Sequence, residues 1–119
     1  MTSRKSLVAD RADFISLKEA AQLSGVSVAL LTRWARARWP RVIALADDDG
    51  GLRLPRWQFD PQVWVVVPDL ARALRGNAWS VMAWLETPHG AFDGRTPRTA
   101  LEQGEPPRRV LDIARADES

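Results

Sequence analysis

Apolar residues recur three or four positions apart along most of the chain, a spacing typical of amphipathic helices. The clearest stretch is FISLKEAAQLSGVSVALLTRWARARWP. Its Ser16 and Glu19 form the capping box S-x-x-E, which predicts that a helix begins directly after Ser16. Gly25 stands where a turn needs a positive φ, Ser27 is placed to cap a second helix, and Pro40 ends the run. The faces expected to be buried are Leu17, Ala20, Ala21 and Leu23 on the first helix, and Leu30, Leu31 and Trp34 on the second.

The middle of the chain changes to strand and turn signals. Val42 to Leu45 is predicted to be a strand, DDDGG a hairpin turn, and Leu52 to Leu54 the returning strand. The apolar run from Val63 to Val67 predicts another short strand or extended piece, followed by a helix that begins at Pro68 and ends at Gly76. The large aromatic residues of this region are expected to lie in the core and to join both halves in one body: Trp57, Phe59 and Trp64.

The last part of the chain alternates helix signals with turn signals. Asn77 is placed to cap a helix from Ala78 to Glu86, and TPHGAFDG then breaks the chain. Thr96 caps a helix that has Pro97 at its first position and runs to Gln103, before Gly104. The final helix is predicted to span Pro106 to Ala116, with Val110, Leu111 and Ala114 inward and a free tail after it.

The composition excludes several kinds of chemistry. There is no cysteine and a single histidine, which rules out disulfides, thiolate nucleophiles and the usual zinc sites. A metal held by carboxylates alone is not excluded, but no pattern indicates one, so we expect no metal and no cofactor. Thr87 and Asp93 are near His89 in sequence, yet groups on one loop rarely converge as catalytic triads do. We therefore expect no catalytic residue and no enzymatic activity, with His89 a surface residue.

The N-terminal segment and the absence of long apolar runs bear on location. Residues 1–13 contain no apolar stretch or cleavage site typical of a signal peptide and read as a flexible arm. The longest apolar run has five residues, far from the roughly 18 that a membrane-spanning helix needs. A cytoplasmic protein without a membrane partner is expected.

Charge is divided unevenly along the chain. Residues 1–46 hold eight basic and three acidic side chains, a balance of +5, whereas residues 47–119 hold nine and twelve, a balance of −3. A basic front half that contains two short helices and a glycine turn predicts a helix-turn-helix unit that binds double-stranded DNA. Arginine can bind guanine or phosphate, and serine or threonine can reach phosphates or bases. The side chains expected to face DNA are Ser27, Ala29, Thr32, Arg33 and Arg36. Three aspartates at the hairpin tip would repel phosphate.

Two parts of the chain resemble known families. SLKEAAQLSGVS, residues 16–27, resembles the first helix-turn-helix of MerR-type and excisionase-type DNA-binding domains, in which a β-hairpin wing follows. The stretch AWSVMAWLETPHGAFDGRTPRTALEQGEPPRRVLDIA resembles the toxin-binding domain of Xre/MbcA/ParS-type antitoxins. That motif is carried by Trp84, Leu85, Pro88, Gly94, Pro97, Gly104, Val110 and Ala114. His89 and Arg98 depart from it, since relatives often have asparagine or alanine at the first position and an aliphatic residue at the second.

The second resemblance implies a small homodimeric antitoxin. Such proteins are encoded beside a toxin of the RES kind, which degrades NAD or ADP-ribosylates targets. Their C-terminal domain covers the toxin's active site, and their helix-turn-helix binds the promoter of their own operon. We expect the outward face of the final helix, with the tail, to hold the toxin through Arg108, Arg109, Asp112 and Arg115.

The expected architecture is mainly α: a flexible arm (1–13), a helix-turn-helix unit with a β-hairpin (14–60), and a helical toxin-binding domain (61–119). Two other functions stay open. One is a stand-alone excisionase-like or MerR-like transcriptional regulator whose rear half serves only dimerisation. The other is an interaction adaptor with no role at DNA. A co-transcribed neighbouring gene whose product is toxic alone would separate the antitoxin from both.

Overall fold

Short helices alternate with a small sheet in residues 13–118, the part of the chain that the computed structural model describes. A mainly helical fold with a central hairpin is thereby confirmed, while the predicted arm, except Asp13, lies outside the described residues. The strands are β1 (Phe14–Ser16), β2 (Leu45–Ala46) and β3 (Leu52–Pro55). The α-helices are α1 (Leu17–Ser24), α2 (Val28–Arg36), α3 (Pro61–Trp64), α4 (Val67–Leu74), α5 (Ala78–Leu85), α6 (Pro97–Glu102) and α7 (Pro107–Glu118), with 3₁₀ turns at Arg56–Phe59 and Gly90–Phe92.

The helix-turn-helix begins and turns where the sequence predicted. Ser16 Oγ accepts a hydrogen bond from the Glu19 N–H at 3.1 Å, and the Glu19 carboxylate accepts one from the Ser16 N–H. Gly25 has a φ of 76°, and Ser27 caps α2. The expected burial of Leu23 is wrong, since this side chain is 51% exposed. The buried face of α1 is centred on Ala20, and Leu23 lies at its margin, near the end of the helix.

The sheet has three antiparallel strands in the order β1-β3-β2. The hairpin is confirmed, but Val42 and Ile43 are not in its first strand, which contains only Leu45 and Ala46. The backbone N–H and C=O of Ile43 bind the buried side chain of Gln58 instead, at 2.7 and 2.8 Å. This amide takes the place of a strand partner, so the ladder starts later.

Two hydrophobic cores use alternate residues of the same segments. In β1, Phe14 belongs to the larger cluster, which we call the rear core, and Ile15 belongs to the smaller front core. Val42 and Ile43 divide between the front and rear cores in the same way. The expected core position of the aromatics is also found: Trp57 is in the rear core, and Phe59 and Trp64 pack against the front core.

The strand or extended piece predicted from Val63 to Val67 is wrong, because this run ends α3, turns at Val65 and Val66, and begins α4. Asp60 caps α3 by accepting a hydrogen bond from the Gln62 N–H at 2.9 Å, and α4 starts at Val67. Val63, Val66 and Val67 are at most 1% exposed, at the spacings of three and four that one side of a helix requires. Helical capping and burial thus prevail over the strand preference of valine.

The end of α4 also differs from the prediction. Arg75, with a φ of 49°, is the left-handed residue that closes this helix, so Gly76 does not supply the positive φ. A Cβ at Gly76 would lie 2.7 Å from Ser80 Cβ. Glycine is therefore needed there for the close approach of the start of α5.

The later caps are confirmed, but the last helix is longer than expected. Asn77 caps α5, and Thr96 caps α6, in which Pro97 is the first residue. α7 continues to Glu118, and Asp117 binds Trp84 Nε1 at 2.8 Å and His89 Nε2 at 2.9 Å. The prediction of a free tail after Ala116 is wrong for residues 117–118, because two side-chain donors hold Asp117.

Candidate DNA interface and partner-binding face

One side of α2 is open to solvent. Leu31 is fully buried and fixes the orientation of the helix, with Leu30 and Trp34 half-buried beside it. Of the five side chains that the sequence analysis expected to face DNA, Thr32 is half-buried. The other four are exposed: Ser27, Ala29, Arg33 and Arg36. Ala29, Thr32, Arg33 and Arg36 recur at spacings of three and four and therefore share one side of α2, whereas Ser27 lies at its N-terminal cap.

The hydrogen bonds within α2 determine which side chains of that surface can still donate a hydrogen bond to a partner. Ser27 Oγ accepts from the Leu30 N–H at 3.1 Å, which leaves its hydroxyl hydrogen as a donor. Thr32 Oγ1 already donates to the Val28 C=O at 2.8 Å. Arg33 and Arg36 have no hydrogen bond or ion pair to any residue in the described part of the chain. Their guanidinium groups are the strongest available donors on the face.

The hairpin tip exposes less negative charge than three aspartates in a row suggest. Asp47 is buried, binds Arg53 Nε at 3.1 Å and accepts the N–H groups of Asp49 and Gly51. Burial by itself would raise the pKa of Asp47, but these hydrogen bonds and the Arg53 charge together lower it. Asp47 thus shapes the turn and is paired with a positive charge, and only Asp48 and Asp49 remain exposed.

The outward face of α7 is largely engaged within the chain. All four predicted toxin-binding residues are exposed, as expected. Arg109, however, forms an ion pair with Glu105, donates to the Ala91 C=O at 3.0 Å and covers the Phe92 ring. Arg115 and Asp112 pair with each other at 3.1 Å. Arg108 has no hydrogen bond or ion pair to another described residue and is the most available of the four.

His89 is part of a clamp at the end of α7. Its Nδ1 accepts from the Ala91 N–H at 3.0 Å, so the neutral ring carries its hydrogen on Nε2, 2.9 Å from the Asp117 carboxylate. Its side chain is 26% exposed and packs edge-on against Trp84 and Phe92. His89 therefore lies at the surface, but it is partly buried and bound to its neighbours. Both ring nitrogens are engaged, which leaves neither free to act as a general base in this conformation.

The two donors of the clamp stabilise the charged form of Asp117. The indole N–H of Trp84 contributes most to the lowered pKa of Asp117, and contact with His89 adds to it, while partial burial opposes both. Sequence reasoning missed this cluster because Trp84 and Asp117 are 33 residues apart. Neither residue belongs to a motif that indicates a pair.

Arg98, the second departure from the antitoxin motif, also joins elements. It binds Glu86 at the end of α5 at 2.9 Å and Glu102 in α6 at 3.2 Å, and it lies 4.8 Å from the Trp57 ring centroid. An aliphatic side chain could cover the tryptophan but could not bind the carboxylates.

Three further observations concern the chain as a whole. No group of three or more His, Cys, Asp or Glu in residues 13–118 is placed to hold a metal ion. Within the same part of the chain, no helix combines the length and apolar character needed to cross a membrane. Protein-family models, curated proteins and solved structures were compared with this chain, and none matches it. Both family resemblances therefore remain expectations.

Proposed function

We propose that this chain is a cytoplasmic antitoxin of a type II toxin–antitoxin system, which represses its own operon through α2 and neutralises a neighbouring toxin through its rear helices. The observation that carries the proposal concerns Arg33 and Arg36, which lie on the exposed side of the second helix of a capped helix-turn-helix and pair with no carboxylate of residues 13–118. The toxin is of the RES kind in this proposal, as the motif resemblance implies.

The DNA part rests on geometry and charge. A recognition helix must present donors on an open face, and within residues 13–118 α2 exposes Arg33 and Arg36 while Leu31 anchors its opposite side. Arginine can read guanine bidentately or bind a phosphate, and neither Arg33 nor Arg36 is neutralised by a described carboxylate. We propose a homodimer, since one small unit offers little surface, with half-sites about 34–36 Å apart or a multiple of that distance.

The antitoxin part rests on the motif residues of the rear helices. Leu85, Pro97, Val110 and Ala114 are buried, and the corner between α5 and α6 fixes how α7 lies on α4. These residues orient α7, and Arg108 on its outer side forms no hydrogen bond or ion pair within residues 13–118. The engagement of Arg109, Asp112 and Arg115 within the chain favours the alternative, a stand-alone DNA-binding regulator without a toxin.

Binding to DNA is tested with single alanine variants of the two arginines. Arg33→Ala and Arg36→Ala should each weaken binding to the duplex upstream of the coding region by about 1–3 kcal/mol if a base is read. Arg108→Ala, which removes the same charge at a distant exposed site, is the control and should bind as the wild type does. A double Arg33/Arg36 alanine variant with wild-type affinity in a gel shift would rule out α2 as the reading helix.

Neutralisation is tested with the product of the adjacent gene. Co-expression should rescue growth from that protein when it is toxic alone, and the two should purify together. If the adjacent gene product is harmless, or if this chain neither binds nor inhibits it, the antitoxin proposal is rejected. The stand-alone DNA-binding regulator is then the favoured function.

A further inference from the structure

A basic cleft lies between the segment after α2 and the beginning of α4. Arg38 and Arg41 line it from that segment, and Arg72 lines it from α4. The cleft has a volume of about 440 Å³, and Asp69 is the single acidic side chain among the described residues of its wall. Three positive charges and one negative charge therefore face the same space.

The three guanidinium groups of this cleft are not neutralised by any carboxylate of residues 13–118. None lies within 4.0 Å of a carboxylate oxygen of residues 13–118, although Asp69 shares the wall. Asp69 is in the first turn of α4, where a carboxylate complements the positive end of the helix dipole. Several arginines of the rear half, in contrast, are in ion pairs with glutamates: Arg95, Arg98 and Arg109.

Two of the three arginines of this cleft contact tryptophan rings, which do not cancel their charge. Arg38 lies 5.3 Å from the Trp39 ring centroid, and Arg41 lies 5.8 Å from that of Trp34. Trp39 packs against the rear core and Trp34 against the front core, so both rings are anchored. A cation over an aromatic face keeps its full charge, which leaves it free to bind an anion.

The lining of the cleft begins directly after α2, at Ala37. Arg36 is the last residue of α2, and Arg38 follows two positions later. The C-terminal end of a recognition helix approaches the phosphate backbone when the helix enters the major groove, as in homeodomains. Arg72 extends this basic surface from the helix-turn-helix to the rear helices.

We infer that Arg38, Arg41 and Arg72 bind the phosphate backbone beside the groove that α2 reads. The contact is independent of base sequence, and it makes α4 part of the DNA-binding surface. This inference rests on the proposed DNA binding and adds to it a contact from the rear half.

The test compares Arg72→Ala with Arg108→Ala, each of which removes one exposed positive charge from a rear helix. Fluorescence anisotropy is measured over a salt series with the duplex upstream of the coding region and with a scrambled duplex of equal length. Arg72→Ala should weaken binding to both duplexes by the same factor. It should also reduce the slope of log affinity against log salt concentration by about 1. Arg72→Lys should keep the slope, and Arg108→Ala should match the wild type.

The outcomes separate this inference from the proposed function. An Arg72→Ala variant with wild-type slope and affinity would overturn the cleft contact, and Arg33→Ala would still report on α2. A variant that binds DNA normally but loses the toxin would assign the cleft to a protein surface and would also overturn it. Wild-type protein that binds neither duplex would overturn both proposals. Circular dichroism of each variant confirms an unchanged fold.

Discussion

Single polar side chains connect the elements of this fold through hydrogen bonds. Gln58 binds both backbone groups of Ile43, Asp47 organises the hairpin turn, and Asp117 fastens the end of α7 to Trp84 and His89. Each replaces hydrogen bonds that a longer strand or a longer loop would supply. The stability of the fold should therefore depend on them, and most of all on the buried Gln58.

Gln58 is expected to contribute more than a surface glutamine of the same size. Gln58→Met preserves the volume but leaves the Ile43 N–H and C=O without their partner, and a buried unsatisfied group costs about 1–3 kcal/mol. We expect a loss of about 2–4 kcal/mol of unfolding free energy, measured in urea. Gln62→Met, at an exposed position, is the control and should change stability by less than about 0.5 kcal/mol. Equal losses in the two variants would contradict the role of Gln58.

Asp117 should give the clamp a defined pH dependence. A carboxyl group whose pKa is lowered by folding contributes stability above its ordinary pKa of 3.8, and loses it as the pH falls through the lower, folded value. Asp117→Asn should therefore be less stable than the wild type at pH 7 by about 1 kcal/mol, a modest figure because the carboxylate is 37% exposed.

The difference between the Asp117→Asn and wild-type melting temperatures should shrink as the pH falls below the ordinary aspartate pKa of 3.8, and should close once the pH has passed the lower pKa of the folded carboxyl group. Asp48→Asn, at an exposed aspartate of the hairpin, should show almost no difference at either end of the range. A gap for Asp117→Asn that is as large at pH 3 as at pH 7 would contradict the charged clamp.

Contacts between residues three or four positions apart were predictable from sequence. The polar contacts that connect distant elements were not. The caps at Ser16, Asn77 and Thr96 bind amides three positions ahead, and such local patterns can be read directly. Gln58 and Ile43 are 15 positions apart, and no local pattern relates them. The exposed candidate arginines of α2 were found, because helical periodicity separates an outer face from an inner one.

Among the elements, α7 shows how similar neighbours can have different roles. Val110 and Ala114 are fully buried against the rear core, so removal of the whole helix would open that core as well as remove the candidate face. Deletion of residues 105–119 is thus a poor test of toxin binding. Arg108 and Arg109 provide a better one, because they are adjacent, chemically identical and differently engaged.

Arg109→Ala should cost stability, and Arg108→Ala should not. Arg109 loses its bonds to Glu105 and to the Ala91 C=O and its contact with Phe92, which we put at about 1 kcal/mol in total because the side chain is 47% exposed. Arg108→Ala should stay within about 0.5 kcal/mol of the wild type and should weaken toxin binding, measured by calorimetry. Unchanged toxin affinity in a folded Arg108→Ala protein would remove the outer face of α7 from the interface.

The prediction of elements failed where two signals disagreed. The valines from Val63 to Val67 favour a strand, but Asp60 and Pro61 favour a helix start, and burial on one side decided in favour of α3 and α4. β1 was not predicted because it has only three residues and ends at the cap of α1. Short elements of this kind are stabilised by their partners, in this case β3.

At the scale of the whole molecule, the two cores share the segments between them. Phe14 and Ile15 are consecutive, yet the first packs in the rear core and the second in the front core, and Val42 and Ile43 repeat the arrangement. A boundary at residue 60 was predicted from the order of motifs along the chain. The rear core nevertheless contains residues from both sides of that position. Whether the two parts behave as separate units can therefore be decided by measuring whether they unfold together.

We expect the two cores to unfold in a single transition, because loosening of β1 removes a buried side chain from each. Phe14→Leu and Ile15→Val each remove a small part of one core, and each should lower the unfolding free energy by about 1 kcal/mol. Both variants should shift the same transition, whether it is followed by far-ultraviolet circular dichroism or by tryptophan fluorescence. Two separate transitions, with Phe14→Leu moving only one and Ile15→Val only the other, would instead establish independent units that meet at the sheet.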